Sequence, residues 1–143
     1  MNVVYDGPNH HLKVFDLNGN QVFLCEARND TVAPNAWRSP DAGCPPGTYT
    51  LGAPESNDPN QPNDINTNDW IGEGLWFVPI NGIPGHIGIG IHGGGSCVQP
   101  NELNPQQGWC PTENCIRLQN ADLATFVTLV PNGGSSIQVV QSP

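Results

Sequence analysis

Apolar and polar positions alternate in short runs along most of the chain, and few runs exceed seven residues. HLKVFDL (11–17) and QVFLCEA (21–27) flank Asn18-Gly19-Asn20, which predicts a hairpin because Asn and Gly accept the backbone angles of a tight turn. Residues 28–46 read as loop and end in Cys44-Pro45-Pro46-Gly47. TYTLG (48–52) places Tyr49 and Leu51 on one face of a strand. Residues 53–74 are biased to Asn, Asp and Pro; a connection of that length is expected to be a lid or an insertion. LWFVPI (75–80) and IGIGIHG (87–93) predict strands around turns at Asn81-Gly82 and Pro84-Gly85. After a second Gly/Pro/Asn-rich loop over 93–111, CIRL (115–118) predicts a short strand. Asn120 is placed to cap a helix whose Leu123, Phe126, Val127 and Val130 recur at helical spacing. SIQVVQ (136–141) predicts a last strand. With no internal repeat and no linker, residues 1–143 are expected to form a single domain. Its class is mainly β, a small sandwich-like or barrel-like sheet with one helix.

Composition supports that reading and narrows the partners. The 143 residues include 17 Gly and 15 Pro, only 36% are hydrophobic and 12% charged, so short strands and turns are favoured over long helices. A net charge of −9 supplies no basic stripe to displace counterions from phosphates, which argues against nucleic-acid partners and against a polybasic membrane anchor. No apolar run is long enough for a membrane span. The first residues, MNVVYDGPNHHLKV, show no basic region followed by an apolar run, so no signal peptide is visible. Five cysteines nevertheless suggest an oxidising compartment, with four paired and one reactive. The expected pairs are Cys25–Cys44 and Cys97–Cys110, because each closes a short loop, worth about 3 kcal/mol for roughly 15 residues in the chain-entropy model.

The chemistry concentrates around two segments. If 86–92 is one strand, Ile87, Ile89 and Ile91 face the core, and His86, Gly88, Gly90 and His92 face the other way. Two glycines on one face leave backbone bare for a substrate chain or a neighbouring element. His86 and His92 would stand about 20 Å apart along such a strand and could not share a metal; His86 is expected at the surface. His92 ends the strand at His-Gly-Gly-Gly.

Its natural partner is Cys115 in PTENCIRLQNADL, just before a short strand that leads into the helix. A thiolate nucleophile needs a base within hydrogen-bond reach and donors for a developing oxyanion. His92 can be that base, and the backbone N–H groups around Asn114 and Cys115 the donors. Arg117 falls on the same strand face as Cys115, where a cation favours thiolate over thiol; an ion pair with Asp122 is an equal alternative. Papain-like enzymes place cysteine before histidine, yet no histidine follows Cys115. Caspases carry a different local motif, with the histidine about 50 residues upstream.

IGIHGG…PTENCIRLQNADL resembles the signature of the L,D-transpeptidase catalytic domain, the YkuD-type fold. In that pattern a strand ends in His-Gly, and after a loop come Ser or Thr, a variable residue, Gly, Cys, an apolar residue, and Arg or Asn, followed by a helix. PPGTYTLG resembles the family's upstream Pro-x-Gly-x-Tyr/Phe strand, so the likeness covers nearly the whole chain. It departs at two points. Asn114 stands where the family has Gly, and Asn is the non-Gly residue that best tolerates the left-handed backbone such a turn needs. The loop from His92 to Cys115 is also longer than usual. The resemblance implies that Cys115 is the nucleophile, His92 the base, and Gly93 the carbonyl that orients its imidazole, with Thr112, Asn114 and Arg117 shaping the site. It also implies peptidoglycan stem peptides as partners, no cofactor, and a periplasmic or extracellular location at the cell wall. The expected reaction is acyl transfer from the L-centre of diaminopimelate to an amine. The alternatives are an L,D-carboxypeptidase or effector-type hydrolase on the same fold, and a non-enzymatic wall-binding module.

Two metal readings compete. His92, Cys97, Cys110 and Cys115 offer zinc ligand types but lack compact Cys-x₂-Cys pairs. Asp64, Asn66 and Asn68 begin like a calcium loop, but Asp69 and Leu75 stand where Gly and Glu belong. No metal is expected.

Overall fold

A computed structural model describes residues 1–29, 31–33, 36–37, 44–56, 76–94, 98, 100–101, 103–109 and 114–140. The expected alternation produces strands β1 (Asn2–Asp6), β2 (His11–Phe15), β3 (Gln21–Asn29), β4 (Thr31–Ala33), β5 (Ala36–Trp37), β6 (Gly47–Leu51), β7 (Glu55–Ser56), β8 (Trp76–Asn81), β9 (Gly90–His92), β10 (Ile116–Leu118) and β11 (Ser136–Val140). Among the described residues one helix, α1 (Asn120–Leu129), follows β10. The calcium-like loop and Thr112, Cys97 and Cys110 lie outside the described residues.

The main sheet runs β6-β11-β1-β2-β3-β10-β9-β8-β7, and β6 also pairs with β8, which closes it into a barrel-like ring. That pairing covers the edge of β6, whose unpaired N–H and C=O groups would otherwise invite association. The pairs β1–β11 and β9–β10 are parallel. The β2–β3 hairpin forms as expected. Gly19 takes φ +82°, and Asp16 Oδ1 accepts from the N–H groups of Asn18 and Asn20, both at 2.9 Å.

Inward-facing residues of the ring form one core that includes Tyr5, Leu12, Val14, Leu51, Val78, Ile91, Ile116, Leu118 and Ile137. The helix buries Leu123, Phe126 and Val127, and the Phe126 ring lies 6.4 Å from that of Phe23 on β3. Each such side chain contributes about 1.5–3 kcal/mol when fully buried.

Four expectations are corrected. Asn2–Asp6 is a central strand, buried at Val3 and Tyr5, where the sequence reading placed none. The stretch read as loop over 28–46 holds the end of β3 and all of β4 and β5. Cys25 and Cys44 are both free. They occupy different parts of the core, with Asp122 and Glu26 near Cys25, and Cys115 near Cys44. Burial pushes each of these thiols up to about 12. Finally, 86–92 is not one strand. Gly88 takes φ +77°, a backbone turn that breaks the pleat, so β9 begins only at Gly90. Ile87 is fully exposed, while Ile89 and Ile91 are buried.

Candidate active site

Strand β9 is three residues long and paired on both sides. His92 stands opposite Phe77 of β8 and opposite Arg117 of β10. The imidazole lies nearly parallel to the Phe77 ring, with centroids 6.1 Å apart. Phe77 also explains Gly90: a Cβ there would fall 2.4 Å from Phe77 Cζ and 2.6 Å from the Val78 carbonyl oxygen. The bare face at Gly90 therefore receives a neighbouring side chain. Gly88, by contrast, has open space where a Cβ would stand.

His92 is buried. Its Nδ1 lies 3.0 Å from the Gly93 carbonyl oxygen. A carbonyl only accepts, so Nδ1 carries the proton and Nε2 presents its lone pair. Burial, and then the Arg117 guanidinium, push the imidazole down to about 3, against the opposing effect of the Gly93 hydrogen bond. His92 is thus a neutral imidazole in the resting protein.

Arg117 is buried on the His92 side of β10. Its guanidinium donates to the Gly93 carbonyl at 2.8 Å and to the Gly94 carbonyl. The Gly93 oxygen thus accepts from both His92 and Arg117, using both lone pairs. Of the two alternatives for Arg117, the ion pair with Asp122 is not what places this side chain; the glycine carbonyls do. Burial and Glu26 raise the Asp122 carboxyl.

Cys115 enters β10 two residues before Arg117, one diagonal step from His92 across the β9–β10 pair. It is 9% exposed, so its sulfur is set just beneath the surface. The Sγ lies 3.7 Å from the carbonyl oxygen of Gly88, the residue that follows the exposed Ile87. Asn114 takes φ +69°, the left-handed conformation anticipated for the family's glycine position. That turn leads directly to Cys115 and into β10.

Several site residues were not found in the sequence. A layer from 103–109 lies against the junction of β10 and the helix. Gln107 donates to the Leu118 carbonyl at 2.9 Å and accepts the Asn120 N–H at 2.7 Å. The Gln119 side chain pairs with both the N–H and the carbonyl of Gly108, at 3.0 Å each. Trp109 packs under the Arg28 guanidinium at 5.2 Å. Asn120 is expected to cap the helix, but Gln119 is the N-cap residue and its own side chain makes no capping hydrogen bond. Asn120 instead accepts from the Gly94 N–H at 2.9 Å and donates to the Asn104 carbonyl at 2.8 Å. A weak signal existed in the pairing of an amide-rich loop, NPQQG, with the amides of LQN; nothing in the spacing says which amide meets which backbone group.

Among the described residues, no group of three or more His, Cys, Asp or Glu converges as a metal site, and no helix is long and apolar enough to cross a membrane. The zinc reading, which needs Cys97 and Cys110, falls outside the described residues.

No family model matches the chain, and no curated protein does. Solved structures do match. Bd1075 from Bdellovibrio bacteriovorus superposes with a TM-score of 0.66 at 17% identity, covering 97% of this chain and 47% of its own. The helical cell shape determining protein Pgp2 from Campylobacter jejuni gives 0.63 at 18%, covering 99% and 47%. An L,D-transpeptidase from Stackebrandtia nassauensis gives 0.59 at 15%, covering 99% and 55%. The chain therefore spans about half the length of the structures it resembles. The mainly β, closed barrel-like sheet with its helix after β10 is the YkuD-type fold of L,D-transpeptidase catalytic domains.

Proposed function

We propose that the protein is a cysteine-nucleophile acyltransferase of the L,D-transpeptidase type, acting on peptidoglycan stem peptides at the cell wall. The observation that carries this reading is a neutral His92, held through Nδ1 on the Gly93 carbonyl, on the strand paired directly with the one that Cys115 enters. The fold of L,D-transpeptidases around that pair supports it.

In this mechanism the Cys115 thiol gives its proton to His92 Nε2 as the sulfur attacks the carbonyl at the L-centre of diaminopimelate. The backbone N–H groups around Asn114, which takes a left-handed turn, and Cys115 would supply the donors for the developing oxyanion. Collapse of the tetrahedral intermediate expels D-Ala, whose amine takes the proton back from His92. An acceptor amine then attacks the thioester, His92 removes its proton, and the sulfur leaves as the new amide forms, taking that proton from His92 to restore the thiol. Thr112, from the resemblance, would line the same site. The chemistry requires no cofactor.

One finding favours the hydrolytic alternative in part. With Gly90 filled by Phe77, only the open backbone at Gly88 is left of the bare glycine face that an acceptor chain could approach. Transfer stays the leading reading because positioning can raise an acceptor amine to an effective molarity of about 10⁵ M or more, against water near 55 M. Incubation with disaccharide-tetrapeptide, followed by mass analysis, tests it. A cross-linked dimer lacking one D-Ala is expected; tripeptide alone would make the protein a carboxypeptidase. A Cys115→Ala variant that retains wall binding while the wild type forms no adduct with a carbapenem would identify a binding module.

A further inference from the structure

The Gly93–Gly94 turn after His92 is gripped from two directions. Arg117 donates to both of its carbonyls, and Asn120 Oδ1 accepts its Gly94 N–H at 2.9 Å. The fit is close, since a Cβ on Gly93 would fall 2.1 Å from Asn120 Oδ1. Asn is among the best side chains for capping a helix, yet this one turns away from its own helix, whose first N–H groups are met by Gln107 Oε1 at 2.7 Å and the Pro105 carbonyl at 2.9 Å. The sequence thus commits a capping residue, one position past the cap, to the backbone beside the histidine.

We propose that Asn120 is a positioning residue for His92: by anchoring the Gly94 N–H it keeps the Gly93 carbonyl on His92 Nδ1. This rests on the reading of His92 as the base for Cys115. The carbonyl stabilises one tautomer, with the proton on Nδ1 and the lone pair on Nε2. Without Asn120 the peptide between Gly93 and Gly94 is free to rotate. Its carbonyl then leaves Nδ1, because glycine has no side chain to restrict the rotation. The imidazole is then able to carry its proton on Nε2, where it cannot accept one from the thiol. Arg117 alone does not prevent this, since its guanidinium can follow either carbonyl.

The test compares Asn120→Ala with Asn120→Asp, which keeps an oxygen acceptor for Gly94 while losing, like Ala, the donor to Asn104. Imidazole ¹⁵N shifts report the His92 tautomer directly, and iodoacetamide alkylation of Cys115 against pH reports base function without a wall substrate. Asn120→Ala is expected to populate the Nε2–H tautomer and slow Cys115 alkylation and acylation by about 10- to 100-fold, as loss of an orienting partner typically does. KM should be nearly unchanged, and Asn120→Asp should recover most of the rate. If Asn120→Ala proves unstable, Asn120→Ser, too short to reach Gly94, carries the same expectation. An unchanged Nδ1–H tautomer with an unchanged rate would overturn the proposal, as would an Asp variant as impaired as Ala. A tautomer shift in a protein that processes no stem peptide would uphold the positioning role and remove only the transpeptidase reading.

Discussion

Acidification should destabilise this protein through His92 in a way that one substitution can isolate. The imidazole is held down to about 3 by burial and by Arg117, against an ordinary value of 6.5. Between those limits the unfolded chain binds a proton that the folded one refuses, so stability rises with pH across the window. The contribution is therefore complete above about pH 6.5 and is lost as pH falls toward 3. The slope is about 1.4 kcal/mol per pH unit. From 6.5 down to pH 5 that amounts to about 2 kcal/mol, and any folded value below about 4 gives the same figure. Urea titrations of the wild type and of His92→Gln at pH 7 and pH 5 measure it. His10, lowered by burial, acts in the same direction, and Asp122, raised by burial, acts oppositely. Both are common to the two proteins and cancel in the comparison. The wild type should lose about 2 kcal/mol more than the variant. Equal losses would mean that His92 is charged or solvated in the folded state, and the neutral-base argument would fall with it.

Brief alkylation of the native protein should label Cys115 ahead of Cys25 and Cys44, whose thiols are buried and pushed up to about 12; peptide mapping decides, and equal labelling would contradict the burial. Asn114→Gly should preserve the fold and activity, because position 114 sits at φ +69°, whereas Asn114→Val should cost about 1–2 kcal/mol from the left-handed backbone alone, read as a lower melting temperature. Gly90→Ala should cost about 1–3 kcal/mol by overpacking against Phe77 and the Val78 carbonyl. Tyr5→Phe removes the donor to Asn29 Oδ1 at 2.9 Å and leaves an amide whose Nδ2 already has no partner among the described residues. A loss of about 1–3 kcal/mol is expected, largely recovered in the Tyr5→Phe/Asn29→Leu double variant, because removing both partners is cheaper than orphaning one.

Much of this protein could be read from its chain because the relevant signals are local. Alternation in HLKVFDL, QVFLCEA and SIQVVQ, the Asn-Gly turn and the helical spacing from Leu123 to Val130 each depend on neighbours a few residues apart, and all became the expected elements. The left-handed turn at Asn114 and the Nδ1 contact of His92 with Gly93 are similarly short-range. What failed depended on partners distant in sequence. NVVYD carries no turn signal before it and only two aliphatic residues side by side; it became a central strand because β2 and β11 both pair with it. Cys25 and Cys44 stand close enough in sequence to suggest a bridge, but β3 carries one of them to the helix side of the core while the other sits near Cys115. Alternation in IGIGIHG promised a longer strand than the φ +77° of Gly88 permits. Gly90 is bare because Phe77 on the adjacent strand fills its place. Arg117 and Asn120 meet the Gly93–Gly94 turn only after β10 pairs with β9 and the helix begins behind it. A sequence records which groups can donate, accept or pack; which of them meet is settled when the barrel closes.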